Sequence, residues 1–101
     1  MTRGTTPTLK FTTPFTADQV ESGYITFTTQ KNILLDISVN DDNVKIEDNF
    51  ISLTLTQSQT LMFKSCVCSL VQLRLLLGDG NAVASNIVQI NVCDILKDGE
   101  I

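Results

Sequence analysis

Three cysteines, Cys66, Cys68 and Cys93, are the residues whose type and spacing most invite a chemical reading. Three thiolates could hold zinc, but structural zinc sites are built from paired C-x2-4-C knuckles and a fourth ligand. Here the closest pair is C-x-C, and the chain has no histidine to complete a set. A disulfide is poorly served as well. In an extended strand Cys66 and Cys68 would stand ~6.6 Å apart on one face, at the long edge of what a bridge spans. The expectation is three small apolar residues in a reduced, intracellular protein, with no metal site and no cofactor.

The absence of histidine also removes Ser-His and Cys-His nucleophile pairs and any imidazole base. Carboxylates remain, because glycoside cleavage needs only two acids at a set distance. Asp41 and Asp42 are adjacent, however, and adjacent residues in a turn point apart, so both read as solvated turn residues. Their replacement by Asn is expected to leave every activity unchanged. Asp79 and Asn81 in "GDGN" offer oxygens to calcium, yet the stretch lacks the alternating acids and distal Glu of a calcium loop. One Tyr, five Phe and no Trp make no evident platform for sugars or bases. Phe15, Phe50 and Phe63 read as core. No residue is assigned a catalytic, cofactor-binding or metal-binding role, and the chain is read as no enzyme.

The totals narrow the partners. A net charge of −4, with no like-charge run longer than Asp41-Asp42, gives no basic footprint for nucleic acid. No apolar stretch reaches the ~18 residues of a membrane span. "MTRGTTPTLKF" shows no charged n-region followed by an apolar h-region, so a cytoplasmic start is expected. At 101 residues, with 43% hydrophobic and 18% charged, residues 1–101 are expected to form one folded domain.

The elements that would position these groups are strands. In "SCVCSLVQLRLLLGDGNAVAS" (65–85), period two puts Val67, Val71, Leu73, Leu75 and Leu77 on one face and Cys66, Cys68, Leu70, Gln72, Arg74 and Leu76 on the other. A helix would drive Arg74 into the stripe of Val67, Leu70 and Val71, so the strand fits better. "GDGN" then turns a hairpin into "AVAS". The same alternation marks Leu9 and Phe11; Ile25 and Phe27; Ile33, Leu35, Ile37 and Val39; Val44 and Ile46; Ile51, Leu53 and Leu55; and Val88, Ile90 and Val92. Turn-forming "TQKN" (29–32), "NDDN" (40–43) and "EDN" (47–49) separate them. The pattern predicts an all-β, antiparallel fold of seven or eight strands, a two-sheet sandwich or a small barrel. Leu53, Leu73, Leu75 and Ile90 are expected in its core. Two helical turns are expected, at 16–19, where Thr16 and Gln19 form a capping box, and at 94–99, between Asp94 and Gly99. The Thr-rich segment 4–13 is expected to be an arm or edge strand that docks on a neighbour.

Four strings, "RGTTPTLKF" (3–11), "LTLTQSQTLMF" (53–63), "VQLRLLLGDGNAVAS" (71–85) and "LKDGEI" (96–101), together resemble small proteins encoded in the structural gene clusters of phages and prophages. In character the chain is similar to the N-terminal domains of phage baseplate upper proteins. No string is a mechanistic motif, and no functional residue is carried over. The resemblance implies a single immunoglobulin-like β-sandwich that serves as a non-enzymatic structural or accessory protein of tail or baseplate. Its partners would be other phage structural proteins or copies of itself, with no nucleic acid and no membrane. It would reside in the host bacterial cytoplasm during assembly and, if retained, in the virion. The alternative is a small β-sandwich module that binds carbohydrate or peptide. An enzyme working with carboxylates alone is the third reading, and it would need two acids converging in a pocket.

Overall fold

The computed structural model describes residues 1–29, 32–64 and 68–101. Alternation becomes eight strands: β1 (Thr8–Thr12), β2 (Val20–Thr29), β3 (Asn32–Ser38), β4 (Val44–Glu47), β5 (Phe50–Thr54), β6 (Cys68–Leu77), β7 (Ala82–Ala84) and β8 (Val88–Asn91). They form two antiparallel sheets packed as a sandwich. One sheet runs β1-β5-β4. The other runs β3-β2-β6, and β7 and β8 follow one another along the free side of β6. In immunoglobulin lettering this order is B-E-D facing C′-C-F-G, with G split in two.

The inward faces meet as the periodicity requires. Ile25, Phe27, Ile37, Val71, Leu73 and Leu75 from one sheet pack on Val44, Ile51 and Leu53 from the other, with Val39, Leu55, Phe63 and Val92 closing the ends. Phe27 and Phe63 meet edge to face, ring centroids 5.6 Å apart at 88°, an arrangement that suits the aromatic quadrupole.

Turn chemistry fixes the register. Glu47 pairs with Phe50, leaving Asp48 (φ 38°) and Asn49 (φ 73°) as a two-residue loop with both residues left-handed. That is the hairpin turn whose twist matches the strands, and Asn and Asp tolerate it best among non-glycine residues. At "GDGN", Leu77 N–H donates to Asn81 O and Gly80 N–H to Leu77 O, with Gly80 at φ 91°. The loop is a three-residue type with glycine at its left-handed position.

Around Asp41, the Asn43 N–H donates to Asp41 Oδ1 at 3.1 Å and the Val44 N–H to Asp41 O at 3.0 Å. The "TQKN" turn falls partly on residues 30 and 31, outside the described residues. The expected turn at 16–19 forms as a 3-10 helix over Ala17–Gln19, and Thr16 N–H donates to Gln19 Oε1 at 3.0 Å.

Several expectations are corrected. Ile33 is exposed, because Phe27 pairs with Leu35 but Thr28 with Ile33. Leu34 is therefore an extra residue, and such a bulge reverses the faces beyond it. Ile90 is half-buried rather than core, and Val88 is exposed, since β8 lies at the sheet's margin. Residues 94–99 form no helix: Asp94 Oδ1 accepts from the adjacent Ile95 N–H at 2.8 Å, where an N-cap would bond two or three residues on.

Within the segment 4–13, Thr8–Thr12 form an edge strand: one side pairs with β5 and the other side is open among the described residues. β1 pairs with β5 along Thr8–Thr12, with Leu55 N–H on Pro7 O and Thr13 N–H on Asn49 O at its two ends.

Candidate functional site

The two outer faces differ in chemistry. The three-stranded sheet shows Thr8, Lys10, Thr12, Lys45, Glu47, Ser52 and Thr54. Its one large apolar residue there, Phe50, lies beneath Lys10, whose Nζ is 5.4 Å from the ring centroid. Thr8 and Thr54, cross-strand neighbours, share a hydroxyl–hydroxyl bond of 3.0 Å. This is an ordinary solvated sheet face.

The five-stranded sheet is different. Because β2 and β6 pair as neighbours, Tyr24 stands beside Arg74, Thr26 beside Gln72, Thr28 beside Leu70 and Ser22 beside Leu76. The bulge at Leu34 turns Ile33 outward next to Thr28, and Ile87, from the loop between β7 and β8, lies by Leu70 and Gln72. Tyr24 is 52% exposed, Ile33 68% and Ile87 60%, with Leu70 and Leu76 also exposed. Five large apolar side chains thus share one sheet face, interleaved with Thr26, Asp36, Gln72 and Arg74, where the opposite face shows one.

A shallow groove of ≈ 570 Å³ runs across this face between Tyr24, Ile33, Arg74 and Leu76. Asp36 and Arg74 lie on opposite sides of β2. The Asp36 carboxylate accepts from Thr26 Oγ1 at 2.7 Å. Arg74 is exposed and has no ion pair among the described residues.

The other residues considered for chemistry disperse. Cys68 lies on this same outer face, its Sγ accepting from Gln89 Nε2 at 2.8 Å. Cys93 sits on the C-terminal segment, where its N–H donates to Met1 O and its carbonyl accepts from Arg3 N–H. Both thiols are free. Cys66 lies outside the described residues. Among the described residues no three His, Cys, Asp or Glu side chains converge as metal ligands. Asp41 and Asp42 are exposed turn residues.

One shallow groove beside the β6–β7 turn does bring two acids, Asp18 and Asp79, to a common opening. Asp79 is already engaged there: its two oxygens accept from the Asn81 N–H and Nδ2, each at 3.0 Å. Of the aromatics expected in the core, Phe63 is buried, Phe15 is half-buried and Phe50 is exposed.

The sequence places Leu70, Arg74 and Leu76 on one face but does not show their joining with Tyr24, Ile33 and Ile87. That joining depends on which strands are neighbours and on one bulge. Compared with protein-family models, curated proteins and solved structures, the chain finds no match.

Proposed function

We propose that this chain is a non-enzymatic structural or accessory domain of a phage or prophage particle, associated with tail or baseplate. It acts through protein–protein contacts made by the outer face of the five-stranded sheet. The observation that carries the contact role is the contrast between the two outer faces: one is Thr- and Lys-rich, the other presents Tyr24, Ile33, Leu70, Leu76 and Ile87 together. Burying such a patch removes apolar surface from water at ~25 cal/mol per Å², a gain the polar face does not offer. The phage setting is supported by the resemblance of the four quoted strings.

A second reading, a small module that binds carbohydrate or peptide, is favoured by the groove beside Tyr24, where Asp36, Gln72 and Arg74 supply polar groups to an aromatic edge.

The test is to induce the prophage of the bacterium that carries the gene, purify particles by density and quantify this chain by mass spectrometry. Stoichiometric presence is expected. Absence from particles, with the chain free in the lysate, would overturn the particle role and move attention to ligand titration of the groove.

A further inference from the structure

Resting on the reading of the outer sheet face as a contact surface, we infer that the partner it takes is a second copy of this chain, joined face to face about a two-fold axis. Charge is the first argument. A partner of fixed sign is not what this surface asks for, because the described residues at its middle include a cation and an anion: Arg74 on β6 and Asp36 on β3, with β2 between them. Arg74 pairs across to Tyr24, and Asp36 to Thr26, two residues further along the same strand. A two-fold axis perpendicular to the contact plane would leave the faces side by side, whereas one lying in that plane and crossing β2 obliquely between Tyr24 and Thr26 sets Arg74 of each copy over Asp36 of the other. An isologous contact uses every such pair twice, so both lone charges are matched by one operation. Neither charge has an opposite partner within the chain among the described residues.

Area is the second. The sheet is four strand lanes wide, since β7 and β8 share one, and β6 is ten residues long. With seven residues in β3, ten each in β2 and β6 and seven shared by β7 and β8, ~4.8 Å per lane and ~3.3 Å per residue give the face about 540 Å², or about 1,100 Å² for two copies. That clears the ~1,000 Å² a specific interface needs and falls just short of the ~1,200–2,000 Å² of stable pairs, the size of a concentration-dependent dimer. The broad side of a molecule measuring 47 × 27 × 16 Å is thus large enough to hold two copies together.

Shape agrees. Tyr24, Ile33 and Leu76 line the groove beside Asp36, Gln72 and Arg74, so the Tyr24 ring of one copy meets aliphatic side chains as well as polar groups on the other, near the two-fold axis. Aromatic anchors near the centre of a contact, with charges around them, are the usual distribution of binding energy.

Sedimentation of the full chain at concentrations up to about 1 mM tests this. A monomer–dimer equilibrium is expected for the native protein. Arg74→Asp and Asp36→Arg should each weaken dimerisation at least about tenfold, because each leaves two like-charge contacts. Combining the two substitutions should restore it to within about threefold of native, since the pairs are re-formed with reversed sign. Leu76→Lys should weaken it without rescue. All these positions are exposed or border solvent, and circular dichroism should show an unchanged fold.

A native chain that remains monomeric throughout, or single variants that dimerise as well as native, would overturn the inference. So would a double variant that stays monomeric while folded. The wider reading fails separately: if Leu76→Lys leaves the amount of chain in purified particles unchanged, the face is not a particle contact, whatever the dimer does.

Discussion

Arg3 Nη1 stands 2.9 Å from Asp94 Oδ1, joining residues 91 positions apart. The same guanidinium donates from Nε to Phe63 O at 2.8 Å and from Nη2 to Leu61 O at 3.1 Å, with Asp98 Oδ1 at 3.4 Å. One side chain thus ties the first turn of the chain to the end of the short helix α1 (Gln57–Leu61) and to the C-terminal segment. Thr60 adds a second tie, its hydroxyl donating to Thr5 O at 2.9 Å. Arg3→Ala should destabilise the fold by about 1–3 kcal/mol, chiefly by leaving the Leu61 and Phe63 carbonyls without a donor. Arg3→Lys should recover only part, because an ammonium cannot fork. Urea unfolding measures both.

The bulge at Leu34 makes a contrast between two apolar residues testable. Leu53→Ala should cost about 2–5 kcal/mol, since the side chain is fully buried. Ile33→Ser should change stability by no more than about 0.5 kcal/mol, because Ile33 faces solvent. Thermal or chemical unfolding of the two variants decides it. A large loss at Ile33 would mean that β3 keeps unbroken alternation.

Gly23 is required by proximity. A Cβ there would sit 2.4 Å from the Arg74 carbonyl oxygen and 3.2 Å from Leu75 Cα, both backbone atoms. β2 and β6 would have to separate, so Gly23→Ala should destabilise by about 1–3 kcal/mol. At Gly80 the space is open but φ is +91°, so Gly80→Ala should cost about 1–2 kcal/mol from conformation alone. The two alanines separate crowding from dihedral strain in the same unfolding assay.

Asn49, at φ 73° in the β4–β5 turn, bonds Thr13 N–H through its backbone carbonyl at 2.9 Å. Asn49→Gly keeps that bond and should be neutral or stabilising by a few tenths of a kcal/mol. Asn49→Val should cost about 1–2 kcal/mol, because a β-branched residue resists the left-handed region. A shift of the unfolding midpoint in opposite directions is the expected result.

The sandwich is legible in the sequence because its strands announce themselves at period two. Ile25 and Phe27, Leu53 and Leu55, and the series Val71, Leu73, Leu75 and Leu77 in β6 are all buried where alternation puts them. The "EDN" and "GDGN" turns are legible from residues that accept positive φ. The helix α1 is not, although Thr56 and Gln59 form the same capping box that marks Thr16 and Gln19: Gln59 N–H donates to Thr56 Oγ1 at 3.2 Å and Thr56 N–H to Gln59 Oε1 at 2.9 Å. A five-residue helix carries too little periodicity to stand out from a strand-rich chain.

The Arg3 tie is illegible for a different reason, since no local pattern connects positions 3, 61, 63 and 94. The outer apolar face shares this cause. Leu70 and Leu76 are visible on one side of β6, but Tyr24 and Ile33 join them only through strand order and the extra residue Leu34.

The central claim is that the outer face of the five-stranded sheet is what this protein is built to cover. Its most direct test is quantitative mass spectrometry of the chain in density-purified particles, comparing native protein with Ile33→Asp and Leu76→Lys together and with Thr8→Lys and Thr54→Lys together on the opposite sheet. The account predicts stoichiometric native chain, a near-complete loss for the first pair and little change for the second. Equal incorporation of both pairs, or loss confined to the second, would contradict it.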